Sequence, residues 1–365
     1  MTGIYIHIPF CIRKCPYCDF YSFSAQEKDK DSYLKAVLLC LKNKAYLVSD
    51  EVDTIYFGGG TPSVFGAERI SEVIRCIKDN YRLTPSAEIT VECNPSSVTE
   101  DFMHLIKASG VNRVSMGMQS AVENERKALG RLSGKEQVAK AVSFAKKAGI
   151  DNISLDIMLG VPSQTMESLD ESIDFLISSE IKHISAYMLK IEEGTPFHKA
   201  AGSLNLPDED TVCDMYLHTA ERLCESGFSH YEISNFALSG YESRHNLKYW
   251  HCEEYLGIGP SAHSFLGGKR YYYSRDFDAF IKGEDMIYDC DGGSEEEYIM
   301  LALRLSEGLK FGEYKRKFGK EIDERIIKKA EKFEPTGLLT ATDEGIALTA
   351  EGFLLSNTII GELIL

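Results

Sequence analysis

Three cysteines, Cys11, Cys15 and Cys18, fall within eight residues as Cys-Ile-Arg-Lys-Cys-Pro-Tyr-Cys, directly after the apolar run Ile4–Ile8. Thiolates at this C-x3-C-x2-C spacing hold iron–sulfur clusters or zinc, and both kinds of site normally want a fourth ligand. The remaining candidates, Cys40, Cys76 and Cys93, sit in helix-like or strand-like stretches rather than in ligand loops. A cubane held by three thiolates keeps one iron without a protein ligand. A small molecule carrying an amino and a carboxylate group can bind that iron, which turns an electron carrier into a catalytic site. The competing reading is a closed structural zinc site completed by His7 or Asp19. Zinc sites usually pair one C-x2–4-C with a second, distant pair, so the spacing favours the open cluster.

Two further constellations could work beside the thiols. Gly58-Gly59-Gly60-Thr61-Pro62 follows the second apolar run and makes a loop without side-chain bulk, able to bring its backbone against a ligand or simply to turn. No Gly-Lys-Ser/Thr follows it, which excludes a P-loop. Polar residues recur at the ends of strand-like runs: Glu92 in Val-Glu-Cys-Asn-Pro, Gln119, Arg131 in Leu-Gly-Arg, and Asp156 in Ser-Leu-Asp-Ile. Buried carboxylates need hydrogen bonds, and each of these residues taken singly is more often a structural polar group. The other constellation is aromatic: Arg244-His245-Asn246, then Tyr249-Trp250, then Gly257 to His263. Haem takes an axial imidazole or thiolate, apolar faces and cationic partners for its propionates. His245 could ligate iron, Tyr249 and Trp250 could line the ring, and Arg244 could meet a propionate. Alternatively, these aromatics close the open side of a barrel and the histidines are hydrogen-bonded core residues.

The elements that must carry these residues alternate regularly. Strand-like runs occur at Ile4–Ile8, Thr54–Phe57, Ile89–Glu92, Val111–Met118, Ile153–Leu159 and His183–Leu189, with amphipathic stretches between them. Six such units predict an α/β fold of parallel strands joined by right-handed crossovers, either an open Rossmann-like sheet or, preferred here, a partial (β/α)6 barrel with its site at the C-terminal strand ends. A helix is expected over Asp208–Ser226 and a single strand over His230–Phe236. Between Glu284 and Glu297 stand seven acids and no base, which reads as a solvated linker. Helices at Glu295–Leu305, Phe311–Phe318 and Asp323–Lys332, then a hairpin and a last helix, read as a C-terminal helical, winged-helix-like domain used for packing or interaction. The expected division is a core barrel over 1–235, a connecting segment over 236–290 and the C-terminal domain over 291–365.

Composition narrows the function classes. The chain has 365 residues, with 40 Lys+Arg against 56 Asp+Glu, a formal charge of −16. That balance argues against a nucleic-acid partner, because phosphates would be repelled and no basic block offers a local exception. No apolar run is long enough for a transmembrane segment, and the first residues are too short and uncharged for a signal peptide. Ten cysteines in a chain of this length are too sparse for a disulfide scaffold, so a reducing, cytoplasmic location is expected.

The run Tyr5-Ile-His-Ile-Pro-Phe-Cys11-x3-Cys15-Pro-Tyr-Cys18-Asp-Phe closely resembles the cluster loop of radical S-adenosylmethionine (SAM) enzymes, and within them the oxygen-independent coproporphyrinogen III oxidase (HemN-like) family. The namesake oxidase has a further Cys two positions after the third ligand, where this sequence has Phe20. That departure, with His245-Asn246-x-x-Tyr249-Trp250, is similar to the branch of haem chaperones, HemW. The resemblance spans nearly the whole chain. It implies a [4Fe-4S] cluster on Cys11, Cys15 and Cys18 and a cluster-bound SAM held by Tyr5, Gly59 and Glu92. It further implies a second SAM near Tyr17, Gly60, Thr61, Gln119, Arg131 and Asp156, and haem, with His245 as candidate ligand. The function implied is a chaperone that passes haem to an acceptor protein, served by an electron donor such as a flavodoxin or ferredoxin, with a homodimer among the expected assemblies. As a family member the chain could in principle cleave SAM reductively, without coproporphyrinogen oxidase activity. The alternative is that oxidase: one electron cleaves SAM to methionine and a 5′-deoxyadenosyl radical, which takes a propionate β-hydrogen before carbon dioxide leaves and a vinyl group remains. An anaerobic haem-degrading enzyme and an iron–sulfur electron-transfer protein rank below both.

Overall fold

A computed structural model describes every residue except Leu132 and Leu365. Six strands, β1 (Thr2–Ile8), β2 (Val52–Gly59), β3 (Leu83–Cys93), β4 (Arg113–Gln119), β5 (Asn152–Leu159) and β6 (His183–Met188), lie side by side in chain order, all parallel. The helices Glu27–Lys44, Ala67–Asn80, Glu100–Ser109, Lys135–Lys147 and Met166–Ser178 make the returns between them. Their ends obey local chemistry. Thr99 accepts a hydrogen bond from the Phe102 N–H at one N-terminus, and Gly110, left-handed at φ 113°, closes the same helix.

Each parallel strand has two unlike faces. The outer residues Ile4, Ile6, Ile8, Ile55, Phe57, Ile89, Val91, Val114, Met116, Ile153, Leu155 and Ile184 are buried under Tyr33, Val37, Leu41, Ile70, Val73 and Ile77 and their counterparts on the next helices. The inner residues are polar: Tyr5 and His7, Thr54 and Tyr56, Glu88, Thr90 and Glu92, Arg113 and Ser115, Ser154 and Asp156, His183 and Tyr187. These inner side chains meet across the sheet. Tyr187 on β6 hydrogen-bonds Gln119 on β4 at 3.0 Å, and Tyr56 on β2 hydrogen-bonds Glu92 on β3 at 2.8 Å. The sheet therefore curls into the expected partial barrel, with a polar interior rather than an apolar one.

Among the described residues, twelve strands share this sheet. Beyond β6 lie β7 (Ser229–Glu232) and β8 (Asn235–Ala237), an antiparallel hairpin where one strand was expected over His230–Phe236; the chain turns at Ile233-Ser234, where Asn235 bonds back to Glu232. Beyond β1, β9 (Tyr255–Ile258) pairs in parallel, followed by the antiparallel β10 (His263–Leu266), β11 (Lys269–Tyr272) and β12 (Ile287–Asp291). Residues 236–290 thus do more than connect: they extend the sheet. The acidic stretch Glu284–Glu297 is likewise not a free linker. It contains the exposed edge strand β12, Glu284 accepts a hydrogen bond from Ser274 at 2.6 Å, and Glu297 pairs with Arg270 at 2.5 Å.

The C-terminal part carries the helices Glu295–Ala302, Phe311–Phe318 and Glu324–Phe333, each within a few residues of its expected bounds. Strands β13 (Leu309–Lys310), β14 (Leu339–Ala341) and β15 (Gly345–Leu348) form a separate small sheet, and two short helices follow. Among the described residues, no helix is long and apolar enough to cross a membrane. Because Phe57 is fully buried on the outer face of β2, just before the Gly58–Gly60 loop, Phe57→Ala is expected to cost about 3–5 kcal/mol. Urea unfolding measures it, and a cost under about 1 kcal/mol would mean this face is not packed as described.

Candidate functional site

The cysteine loop leaves the C-terminal end of β1. Its base is pinched where Phe10 and Phe23 bridge, with the Cys11 N–H donating to the Phe23 carbonyl at 2.9 Å. A turn brings the Cys18 N–H to the Cys15 carbonyl at 3.2 Å. The loop is then tied outward: Arg13 donates to the Gly130 carbonyl at 2.7 Å, and the Phe197 N–H donates to the Pro16 carbonyl at 3.0 Å. These bonds hold the loop from both flanks. All three thiols remain free and partly accessible.

Two residues singled out in the sequence, Thr61 and Arg131, lie beside the thiols. The Thr61 hydroxyl lies 3.3 Å from Cys11 Sγ, and Arg131 Nη1 lies 3.9 Å from Cys15 Sγ. Loop Gly58–Thr61 is sewn to the end of β1 by Gly60 N–H to Ile8 O at 2.8 Å and Thr61 N–H to Phe10 O at 2.7 Å. Gly59 has φ 106°, and a Cβ there would stand 2.7 Å from the His7 ring. At Gly60 a Cβ would reach the Ile8 and Phe10 carbonyls at 2.9 and 2.8 Å. The triplet is therefore required for close packing, and what it presents to a ligand is backbone.

Two groups of polar residues open from this end of the barrel. The first is Tyr5, Gly59 and Glu92. Glu92, part-buried, accepts from Tyr56 Oη, and desolvation pushes it up to about 7 against the opposing hydrogen bonds from Tyr56 and the Gly59 N–H. The second is Tyr17, Gln119, Arg131 and Asp156. Gln119 adopts a left-handed φ of 71°, an unusual conformation for a residue with a side chain. Asp156 accepts from Ser115 at 3.1 Å and from Ser154 at 3.4 Å, and burial raises its pKa. Arg131 donates to the Gly117 carbonyl, yet its Nε is buried with no protein partner. Tyr187, absent from the expected set, joins this group through Gln119. Only its position at the end of the sixth strand could have signalled it.

The donor set fits a three-thiolate cluster with SAM at its open corner better than it fits zinc. His7 is spent, with Nδ1 3.1 Å from Tyr5 Oη and Nε2 2.9 Å from the Tyr21 carbonyl, and Asp19 pairs with Arg275 at 3.5 Å. Cys40, Cys76 and Cys93 bond elsewhere, to Tyr273, the Leu38 carbonyl and the Val91 carbonyl. The orphaned Arg131 Nε and the part-buried, desolvated carboxylates of Glu92 and Asp156 are a cation and two acceptors of the kinds a zwitterionic nucleoside needs. Replacing Cys11, Cys15 and Cys18 together by Ala should abolish the visible absorbance of the reconstituted protein. The thermal midpoint should move by no more than a few degrees, since the loop is held by backbone bonds; a collapse of the fold would show the thiols to be structural.

His245 lies deeper in the barrel, its ring stacked on that of Tyr5 with centroids 6.3 Å apart. It lies on the helix Arg244–Trp250, which plugs the opposite mouth of the barrel. The helix N-terminus is held by Glu88 on β3, which accepts the Arg244 and His245 N–H groups at 3.2 and 3.1 Å. Lys248, almost fully buried, pairs with Asp53 at 2.8 Å. The His245 ring is fully buried, with Nδ1 2.8 Å from Thr54 Oγ1 and Nε2 2.9 Å from Tyr249 Oη. In this conformation neither nitrogen is free for iron. Arg244 is also engaged, at 2.8 Å from the Ser86 carbonyl and 3.4 Å from Asp53.

Burial pushes His245 down to about 3, whereas an unfolded imidazole titrates near 6.5. The unfolded chain takes up the proton first, so this residue draws stability away as pH falls from 6.5 towards 3. His245→Ala is expected to cost about 2–4 kcal/mol at pH 7.5, because it opens a cavity and strands two hydroxyls. The deficit should shrink at pH 5. Urea titrations at the two pH values test this, and a deficit that is absent at pH 7.5 or grows in acid would contradict the anchored ring.

Comparison with known proteins agrees with this geometry. The radical SAM superfamily profile matches residues 5–176, and the HemN C-terminal domain profile matches residues 296–355. The chain is 33% identical to heme chaperone HemW of Lactococcus lactis over 100% of its own length and 97% of that protein, and 32% identical to HemW of Bacillus subtilis over 99% and 98%. HemW of Escherichia coli is 35% identical over 84% of this chain and 83% of that one. The structure of coproporphyrinogen III oxidase HemN from E. coli superposes with a TM-score of 0.85 over 99% of this chain and 89% of that chain, at 21% identity, which speaks for the shared fold. A fold of parallel strands with three thiols at one end, and relatives matching from end to end, lead to one assignment: the chain belongs to the HemW family of heme chaperones within the radical SAM superfamily.

Proposed function

We propose that this protein binds haem and delivers it to an acceptor protein, and that Cys11, Cys15 and Cys18 hold a [4Fe-4S] cluster whose open iron takes SAM. The observation that carries the reading is end-to-end similarity to HemW proteins combined with a cluster loop that has Phe20, 68% exposed, in place of a further cysteine. When bound, the cluster supplies a site for one electron and a corner for the amino and carboxylate groups of SAM. The chain's own residues do the rest. Tyr5, Gly59 and Glu92 line the cluster-proximal site; Tyr17, Gly60, Thr61, Gln119, Arg131 and Asp156 line the space beside it, where a second SAM would lie.

In this reading residues 1–235 carry the cofactors and 291–365 face the partner. Iron ligation by His245 would require the ring to leave Thr54 and Tyr249, so we assign it instead to anchoring the plug helix. A cytoplasmic location, an electron donor such as a flavodoxin or ferredoxin, and a homodimer belong to the same reading.

The discriminating experiment gives anaerobically reconstituted protein reductant and SAM with either coproporphyrinogen III or haem. Stoichiometric haem uptake, seen as a Soret band that moves to an added apo-acceptor, with no decarboxylated porphyrin, is expected. Formation of the divinyl product would reinstate the oxidase, and failure to retain haem would overturn the chaperone reading.

A further inference from the structure

Two polar paths, buried at Thr54, His245, Ser154, His183 and Ser243, run through the barrel from the carboxylates at its cofactor end to the plug helix Arg244–Trp250 at the other. The first begins at Glu92. Tyr56 Oη donates to it at 2.8 Å, and the Tyr56 ring stacks on His245 with centroids 5.2 Å apart and planes 27° off parallel. His245 in turn bonds Thr54 on the same strand as Tyr56, and Tyr249 one helical turn on. The second begins at Asp156. Ser154 Oγ donates to it at 3.4 Å, His183 Nδ1 lies 2.8 Å from Ser154 Oγ, and His183 Nε2 lies 2.8 Å from Tyr231 Oη. Tyr231 Oη accepts the Ser243 N–H at 3.2 Å, immediately before the plug helix.

The polarity of the second path is consistent along its length. Ser243 donates to Tyr231, and Tyr231 donates to His183 Nε2. That leaves the proton on Nδ1 to be given to Ser154, which donates to Asp156. A neutral His183 carrying its proton on Nδ1 satisfies every link, and burial lowers its pKa well below the usual value, which keeps it neutral. Between the two paths stands Arg113, fully buried, with Nε and Nη1 lacking a protein partner and its charge acting on Glu92, Asp156, His183 and His245.

We propose that Tyr56 and the His183–Tyr231 pair are positioning residues that tie the cofactor-end carboxylates to the plug helix, so that SAM binding and an ordered Ser243–Trp250 segment favour one another. The proposal rests on the reading of Glu92 as a SAM-site residue. A ligand that engages Glu92 acts on Tyr56, whose ring cannot shift without moving the face on which His245 stacks. Buried networks of this kind have few alternative arrangements, because each displaced donor would be left unpaired. Coupling of two sites is reciprocal: SAM steadies the helix by the same factor by which the ordered helix tightens SAM.

The test uses the full-length reconstituted protein with Tyr56→Phe, Tyr231→Phe and Glu92→Gln. SAM affinity is measured by titration calorimetry from pH 5.5 to 9, and amide hydrogen exchange over 243–250 is followed with and without SAM. Tyr56→Phe keeps the ring and removes only the donor to Glu92. It is expected to weaken SAM about tenfold and to move the affinity midpoint to higher pH, since Glu92 loses a bond that favours its anion. The groups facing Glu92 that remain are Tyr5, Arg113, Asp156, Tyr249 and Cys93, all common to both proteins.

Tyr231→Phe should leave that midpoint in place, quicken exchange over 243–250 several-fold even without ligand, and reduce the protection that SAM confers there. If Glu92→Gln binds SAM as tightly as the parent, the SAM-site reading itself falls. If Glu92→Gln weakens SAM while Tyr56→Phe changes neither affinity nor midpoint, or SAM leaves exchange over 243–250 unaltered, the coupling is overturned and the site reading stands.

Discussion

In the proposed reading three thiols from one short loop cap only three corners of a four-iron cube, and the constraint on the rest of the site is what the fourth corner then requires. A free iron beside a sulfonium ligand needs backbone close at hand, acceptors for an ammonium and hydroxyls, and a cation for a carboxylate. These groups come from separate loops, because no single loop is long enough to supply them all. The loop after β2 brings its glycines against the end of β1, β3 carries Glu92 one residue before its end, and the chain after β4 returns Arg131 to within 3.9 Å of Cys15. Parallel strands deliver all their C-terminal ends to one side, which is why this architecture can assemble such a site.

The same demand explains the polar interior. Carboxylates at strand ends must be buried to be useful, and a buried carboxylate must be hydrogen-bonded. Tyr56 serves Glu92, Ser115 and Ser154 serve Asp156, and these in turn stand on His245 and His183 deeper in the barrel. Charge does not stay at the rim. It is carried inward until the plug helix closes the far mouth, with Glu88 receiving its N-terminal N–H groups and Asp53 its buried lysine.

How far this was legible in the sequence differs by residue. The thiol spacing announces itself, and the α/β alternation yields β1 to β6 to within a few residues, save β3, which starts six residues early; it does not yield β9, the parallel neighbour of β1. Glu92, Gln119 and Asp156 stand out because a polar residue in a β-branched run breaks the expected pattern of a buried strand. Tyr56 and His183 do not, since a Tyr or a His in a strand is unremarkable until its partner is known. His245 was legible as unusual and not as an anchor, because the side of the sheet on which a seven-residue helix docks is decided by packing alone. Strand β12 hides in an acidic stretch, where Ile287 and Tyr288 are the only strand-forming cue and pairing with β11 decides the outcome.

The account stands or falls on the metal. Iron and acid-labile sulfide, counted after reconstitution without oxygen and followed by electron paramagnetic resonance of the reduced protein with and without SAM, test it most directly. The account predicts about four irons and four sulfides per chain and a spectrum that changes when SAM is added. One tightly held zinc ion without sulfide, or a cluster indifferent to SAM, would contradict it.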